Sequence, residues 1–171
     1  PIDVSMEELE LQIEAEEKGC ESYQPGEDSV PELQATIEKY KDHIIRVDAG
    51  KLGIGYSQTI LEAIATRPDL ITRYINVQAE RAVKDMAGLA ASGVKIVFGG
   101  GDMATNSGPF YSPRVFRELV LPALKKITGA CHEQGIYYLF GSDGNLWPVA
   151  NDLFGESGVD GYYEIDRRAG M

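Results

Sequence analysis

Residues Val94–Pro113 read VKIVFGGGDMATNSGPFYSP, and this stretch decides the fold. Val94, Ile96, Val97 and Phe98 are the β-branched and aromatic run of a buried strand. Gly99, Gly100 and Gly101 end that run, and Asp102 follows. Thr105, Asn106, Ser107 and Gly108 then read as a polar loop. Ser112-Pro113 opens a helix, with a hydroxyl at the N-cap and a proline at the first helical position. A buried strand therefore runs through glycines onto a carboxylate and into a helix. In α/β folds ligands collect at the carboxyl ends of strands. Three glycines beside Asp102 would let a ligand approach the backbone closely.

The same pattern extends in both directions. Upstream, Pro68 starts a long helix, with Ile71, Tyr74, Ile75, Ala82, Met86 and Leu89 at the spacing of one helical face, and Gly93 ends it. Before it, Ser57 caps a short helix that buries Ile60, Leu61 and Ile64. His43–Val47 reads as a strand ending on Asp48-Ala49-Gly50, with a glycine-rich loop from Lys51 to Tyr56. Two capping boxes, Ser5 with Glu8 and Ser29 with Glu32, open helices to about Gly19 and Lys41. Downstream of Ser112, a helix turns Phe116, Leu119, Val120, Ala123, Ile127 and Ala130 to one side. Pro122 should kink or split it, and Gly135 should close it. Ile136–Phe140 is a third strand, leading into Gly141-Ser142-Asp143-Gly144-Asn145. A helix over about Leu146–Glu156 and a fourth strand, Gly161–Ile165, complete the order.

Strands alternating with helices imply an α/β fold with parallel pairing. The expected division is a helical segment, residues 1–42, and a βα-repeating part, residues 43–171. Four strands make a small open sheet or half of an eight-stranded barrel. Half a barrel leaves open edges, so it should be an oligomer, be completed by further segments or be marginally stable. The chain starts at Pro1 and ends at Met171, and both ends look cut.

Composition narrows the partners. A net charge of −11 argues against nucleic acid and against an anionic membrane surface. Much of the acid lies before Ser29 and reads as a solvated helix face. No apolar run reaches membrane-spanning length. Two cysteines, Cys20 and Cys131, without a CxxC point to a reduced, cytoplasmic protein.

Each strand ends in or beside a carboxylate: Asp48, Asp102, Asp143 and Glu164. In a parallel sheet these acids meet on one rim, and like charges in a cleft raise carboxyl pKa values toward proton transfer. Asp102, Asp143 and Glu164 are the candidate catalytic groups, and Asp48, Asn106 and Asn145 the candidate substrate contacts. Acids are also common after strands as turn formers, and Asn145 equally suits a helix cap. The glycine runs fit neither a phosphate loop nor a dinucleotide fingerprint. His43 and His132 lack partners at metal-ligand spacing, so no metal is expected.

From Gly50 onward the chain resembles the uroporphyrinogen decarboxylase superfamily. The matching pieces are LEAIATRPDL at Leu61–Leu70, the long helix to Gly93, GGGDMATNSGPFYSP, RELVLPALKKI at Arg117–Ile127, GSDGN at Gly141–Asn145 and ESGVDGYYEID at Glu156–Asp166. The resemblance implies a (β/α)8 TIM-barrel fold, of which this chain would supply about four βα units. It implies an enzyme, and the loop at Asp102 looks like the methyltransferase-like branch. The activity implied is methyl transfer between a small methylated substrate and a corrinoid carried by a partner protein, with no firmly bound cofactor. Asp102 would bind or polarise the substrate, Asp143 and Asn145 would orient it, and Glu164 would act as acid or base. Zinc-dependent members carry His-x-Cys where this sequence has Gly141-Ser142-Asp143, so zinc is not implied. Decarboxylation of a porphyrinogen-like acid is the alternative within the family. A non-catalytic fragment or interaction domain is the alternative outside it.

Overall fold

The computed structural model describes residues 4–25 and 29–171, with the side chains of residues 29 and 30 excluded. Helices α1 (Met6–Ser22) and α2 (Ser29–Lys39) precede strand β1 (Asp48–Lys51). Helices α3 (Gln58–Thr66) and α4 (Pro68–Ala91) lead to β2 (Ile96–Gly100). A small hairpin follows, β3 (Ala104–Thr105) with β4 (Gly108–Pro109). Then come α5 (Pro113–Val115), a wider π-type turn over Phe116–Val120, α6 (Leu121–Glu133) and β5 (Tyr137–Gly141). Short helical turns at Trp147–Val149 and Asn151–Glu156 lead to β6 (Gly161–Tyr163), and a last turn spans Arg167–Ala169.

The main sheet runs β1-β2-β5-β6, in chain order and parallel throughout. The mixed α/β class with a parallel four-stranded sheet is thus as the sequence indicates. Alternation along the strands sorts the two faces. Val97, Tyr138 and Phe140 are fully buried on the face covered by α4 and α6, which pack side by side. On the other face Ile96, Phe98 and Leu139 are half-buried and Tyr137 is 60% exposed. The guanidinium of Arg46 lies 5.0 Å from the Phe98 ring centroid and 5.3 Å from that of Tyr163. Leu9 and Ile13 of α1 join the same core as α4 and the sheet.

Local signals account for most element ends. The Ser5–Glu8 capping box forms in full, at 3.2 Å and 2.7 Å. The other box involves Ser29, whose side chain lies outside the described residues. Ser57 and Ser112 cap their helices through Ile60 N and Val115 N, each at 3.3 Å. Pro122 cannot donate to a preceding carbonyl, and the chain absorbs this one turn earlier. Leu121 N bonds Phe116 O, an i to i−5 contact, so Phe116 and Val120 before the proline and Ala123 and Ile127 after it stay buried.

Four expectations need correction. The first strand is not His43–Val47: pairing starts at Val47 O, which accepts from Phe98 N, and Ile44 is 74% exposed. Leu61 is 42% exposed, and Ala63 takes its place in the core. The polar loop after Asp102 is a hairpin closed by the two residues Asn106 and Ser107. The early acids are not all solvated. Glu17 holds Arg73 at 2.6 Å, and Glu10 holds Arg67 at 3.3 Å, tying α1 to the start of α4.

Candidate functional site

Register fixes which side chains share the rim. Gly100 pairs with Gly141, and Gly141 with Tyr163. Asp102 and Asp143 therefore lie two residues past paired glycines, and Glu164 lies one residue past Tyr163. All three stand at the carboxyl end of the sheet. There an open groove of about 640 Å³ is lined by Asn106, Asp143, Glu164, Asp166, Arg167 and Arg168. That volume suits a small molecule.

The groove wall is stitched by backbone. Gly144 packs so tightly on the hairpin that a Cβ there would lie 2.6 Å from Ala104. Asn145 N donates to Thr105 O at 2.8 Å, and Met103 N donates to Ser142 Oγ at 3.1 Å. These contacts bring Asn106 of the hairpin and Asp143 to one wall. On the other wall Asp166 is spent on structure: it accepts from the backbone N–H groups of Gly144, Arg168 and Ala169. Glu164 has φ +63°, alone among the described non-glycine residues in lying at positive φ. Such a backbone costs of order 1 kcal/mol or more and persists where its surroundings hold it. Asp143 and Glu164 are exposed, and their carboxylates have no hydrogen-bond or ion-pair partner among the described residues. Burial, then the charges of Asp143, Glu164 and Asp166, push the Tyr162 phenol up to about 12. Tyr162 stays protonated and donates to Ser142 O at 2.5 Å.

Asp102 is exposed at the end of β2 but does not line the groove. The glycines before it are not an approach for a ligand, because protein already fills the space. A Cβ on Gly99 would lie 2.2 Å from the Tyr138 hydroxyl, one on Gly100 2.3 Å from Gly141 O, and one on Gly101 2.7 Å from Leu52 O. The Tyr138 hydroxyl itself donates to Gly50 O at 2.6 Å and accepts from Gly100 N at 2.8 Å. Asp48 is not at the carboxyl end. It is the first residue of β1, paired in register with Phe98, and its carboxylate takes Arg46 at 2.9 Å. That hydrogen bond holds its carboxyl below the usual range. The Asn145 side chain accepts from Trp147 N at 3.0 Å, capping the turn that follows. Trp147 is 60% exposed, and its indole N–H donates to Gly170 O at 2.8 Å.

Sequence reasoning passed over Arg167 and Arg168. Their signal was position: two basic residues directly after the last rim acids. A second, apolar cleft of about 220 Å³ lies at the opposite end of β2, between Ile37, Ile44 and Val94. Among the described residues no three His, Cys, Asp or Glu side chains converge as a metal site, and no helix is long and apolar enough to cross a membrane. The sequence matches no protein-family model and no curated protein.

Proposed function

We propose that this chain forms part of a (β/α)8-type barrel enzyme of the uroporphyrinogen decarboxylase kind, and that its rim groove holds a small methylated substrate for methyl transfer. The observation that carries the reading is the strand order. Four parallel strands in strict chain order, with helices on one face, are what a barrel uses; a doubly wound sheet reverses its order at a switch point. The half-buried aromatic face would line the barrel, and the edges of β1 and β6 would pair with further strands, from this chain or a second copy. The groove sits where barrel enzymes keep their sites.

A corrinoid on a partner protein would supply the cobalt centre that exchanges the methyl group. The chain's own residues do the rest. Asn106 and Asp143 orient the substrate. Glu164 faces the heteroatom whose bond to the methyl carbon breaks: an alkoxide or thiolate leaving group would take its proton through this carboxyl, whereas a cationic nitrogen leaves as the neutral amine, and there the carboxylate holds its charge beforehand. Asp102, at the end of β2 beyond β5, adds negative potential to the rim. Substrate-dependent methylation of reduced cobalamin, followed by its absorption spectrum, tests this. Glu164→Gln should lower the rate about a hundredfold. No methylation with any methylated amine, alcohol or thiol would overturn the reading. A second reading, decarboxylation, is favoured by Arg167 and Arg168, which could hold substrate carboxylates. Release of carbon dioxide from a porphyrinogen acid would select it.

A further inference from the structure

The charges in the groove are of both signs and do not neutralise one another. In this acid-rich chain, Arg46, Arg67, Arg73, Arg114 and Arg117 each hold a carboxylate, and Arg81 holds the Glu16 carbonyl. The Arg167 and Arg168 guanidinium groups are the ones left without a partner among the described residues, and both residues line the groove. Asp143 and Glu164 line it as well, their side chains in no close ion pair among the described residues, although the charge of Glu164 is felt by Arg46, which is paired with Asp48. With 27 acidic against 16 basic residues, a free arginine would ordinarily find an acid. Here each is kept apart by the turn geometry, since Asp166 is occupied by backbone donors and Glu164 is held at φ +63°.

We propose that the groove is built for a small zwitterion: a carboxylate bound by Arg167 and Arg168, and a cationic, methylated nitrogen facing Asp143 and Glu164. A planar guanidinium suits a carboxylate in two-point contact. A methylated nitrogen keeps its positive charge and is weakly hydrated, so exposed carboxylates and the rim potential suffice to hold it. The methylated end rests on the methyl-transfer reading; the pairing of opposite charges does not.

Calorimetric titration of the protein with glycine betaine, choline and acetate tests this. Betaine should bind roughly tenfold tighter or more than either single-charge probe, the gain of one charged contact. Replacing both arginines (Arg167→Gln with Arg168→Gln) should bring betaine down to the affinity of choline and leave choline unchanged. Glu164→Gln should weaken betaine and choline and spare acetate. Unchanged melting of each variant shows that the fold is intact, and Lys at both arginine positions should restore part of the betaine affinity. Betaine bound no tighter than choline or acetate, or an arginine variant that binds it as before, overturns the proposal. Betaine bound with charge dependence but never demethylated keeps the zwitterion site and overturns methyl transfer. Methylation from methanol without betaine binding does the reverse.

Discussion

Two strand ends of one sheet carry the same element, a carboxylate just past the last paired residue, in opposite surroundings. At β2, Gly99, Gly100 and Gly101 are filled by the Tyr138 hydroxyl, the Gly141 backbone and the Leu52 backbone. At β6, Glu164 takes a left-handed backbone and stands exposed beside two unpaired arginines. A run of glycines records that something needs the room, and here the protein itself takes it. Strain next to unpaired charge records the opposite: a cost that internal packing does not explain.

The largest effect that sharpens this contrast is Gly100→Ala. The new Cβ would meet Gly141 O at 2.3 Å on a backbone at φ +93°. A loss on the order of 3–5 kcal/mol in urea unfolding is expected, since strain and backbone overlap add. A loss under about 1 kcal/mol would break the claim that this end is packed shut. Tyr138→Phe comes next. It removes a hydroxyl that serves Gly50 O and Gly100 N and should cost about 2 kcal/mol, the penalty for leaving buried groups unpaired.

The buried core also sets the response to alkali. Burial pushes the Cys131 thiol from its ordinary 9 up to about 12. The folded state then keeps a proton that the unfolded chain has lost. Stability is full below about pH 9 and falls as pH rises toward about 12. Thermal melting across that range should show the decline, and Cys131→Ala should flatten part of it.

At the β6 end the sign reverses. Glu164→Gly relieves the positive φ and should raise stability by about 0.5–1 kcal/mol, while the proposed methyl transfer should fall. A destabilised Glu164→Gly would mean the side chain has a structural role. The smallest effect is at Asp102. Asp102→Asn should move stability by no more than about 0.5 kcal/mol, and turnover by less than Glu164→Gln does. A larger loss of turnover would return Asp102 to the centre of the site.

What the sequence made legible was local. Ser5 with Glu8, Ser57 and Ser112 name their helices because each hydroxyl bonds a backbone three residues away. The face of α4 is legible because periodicity is a property of the helix alone. The alternation of elements then sets the parallel order. The start of β1 was missed by a few residues: Ile44 is apolar yet exposed, and only pairing with β2 decides where that strand begins. The identity of whatever fills Gly99 lies in Tyr138, 39 residues away, and no local pattern links them. The three rim positions after β2, β5 and β6 followed from strand order. The arginines did not, because a charged pair after a strand gives no hint that its neighbours will leave it unpaired.

Trp147 is the chain's one tryptophan, and its indole N–H is tied to Gly170 O in the turn that carries Arg167 and Arg168. The molecule thus holds a single emitter at the edge of its groove. Light absorbed at the red end of the tryptophan band, where tyrosine is silent, interrogates that turn alone. A ligand that draws the arginines inward must tug on the hydrogen bond or alter the water around the ring. The emission colour and lifetime of native protein can therefore be titrated without a label, and a loosened turn registers as an optical signal well before the chain unfolds.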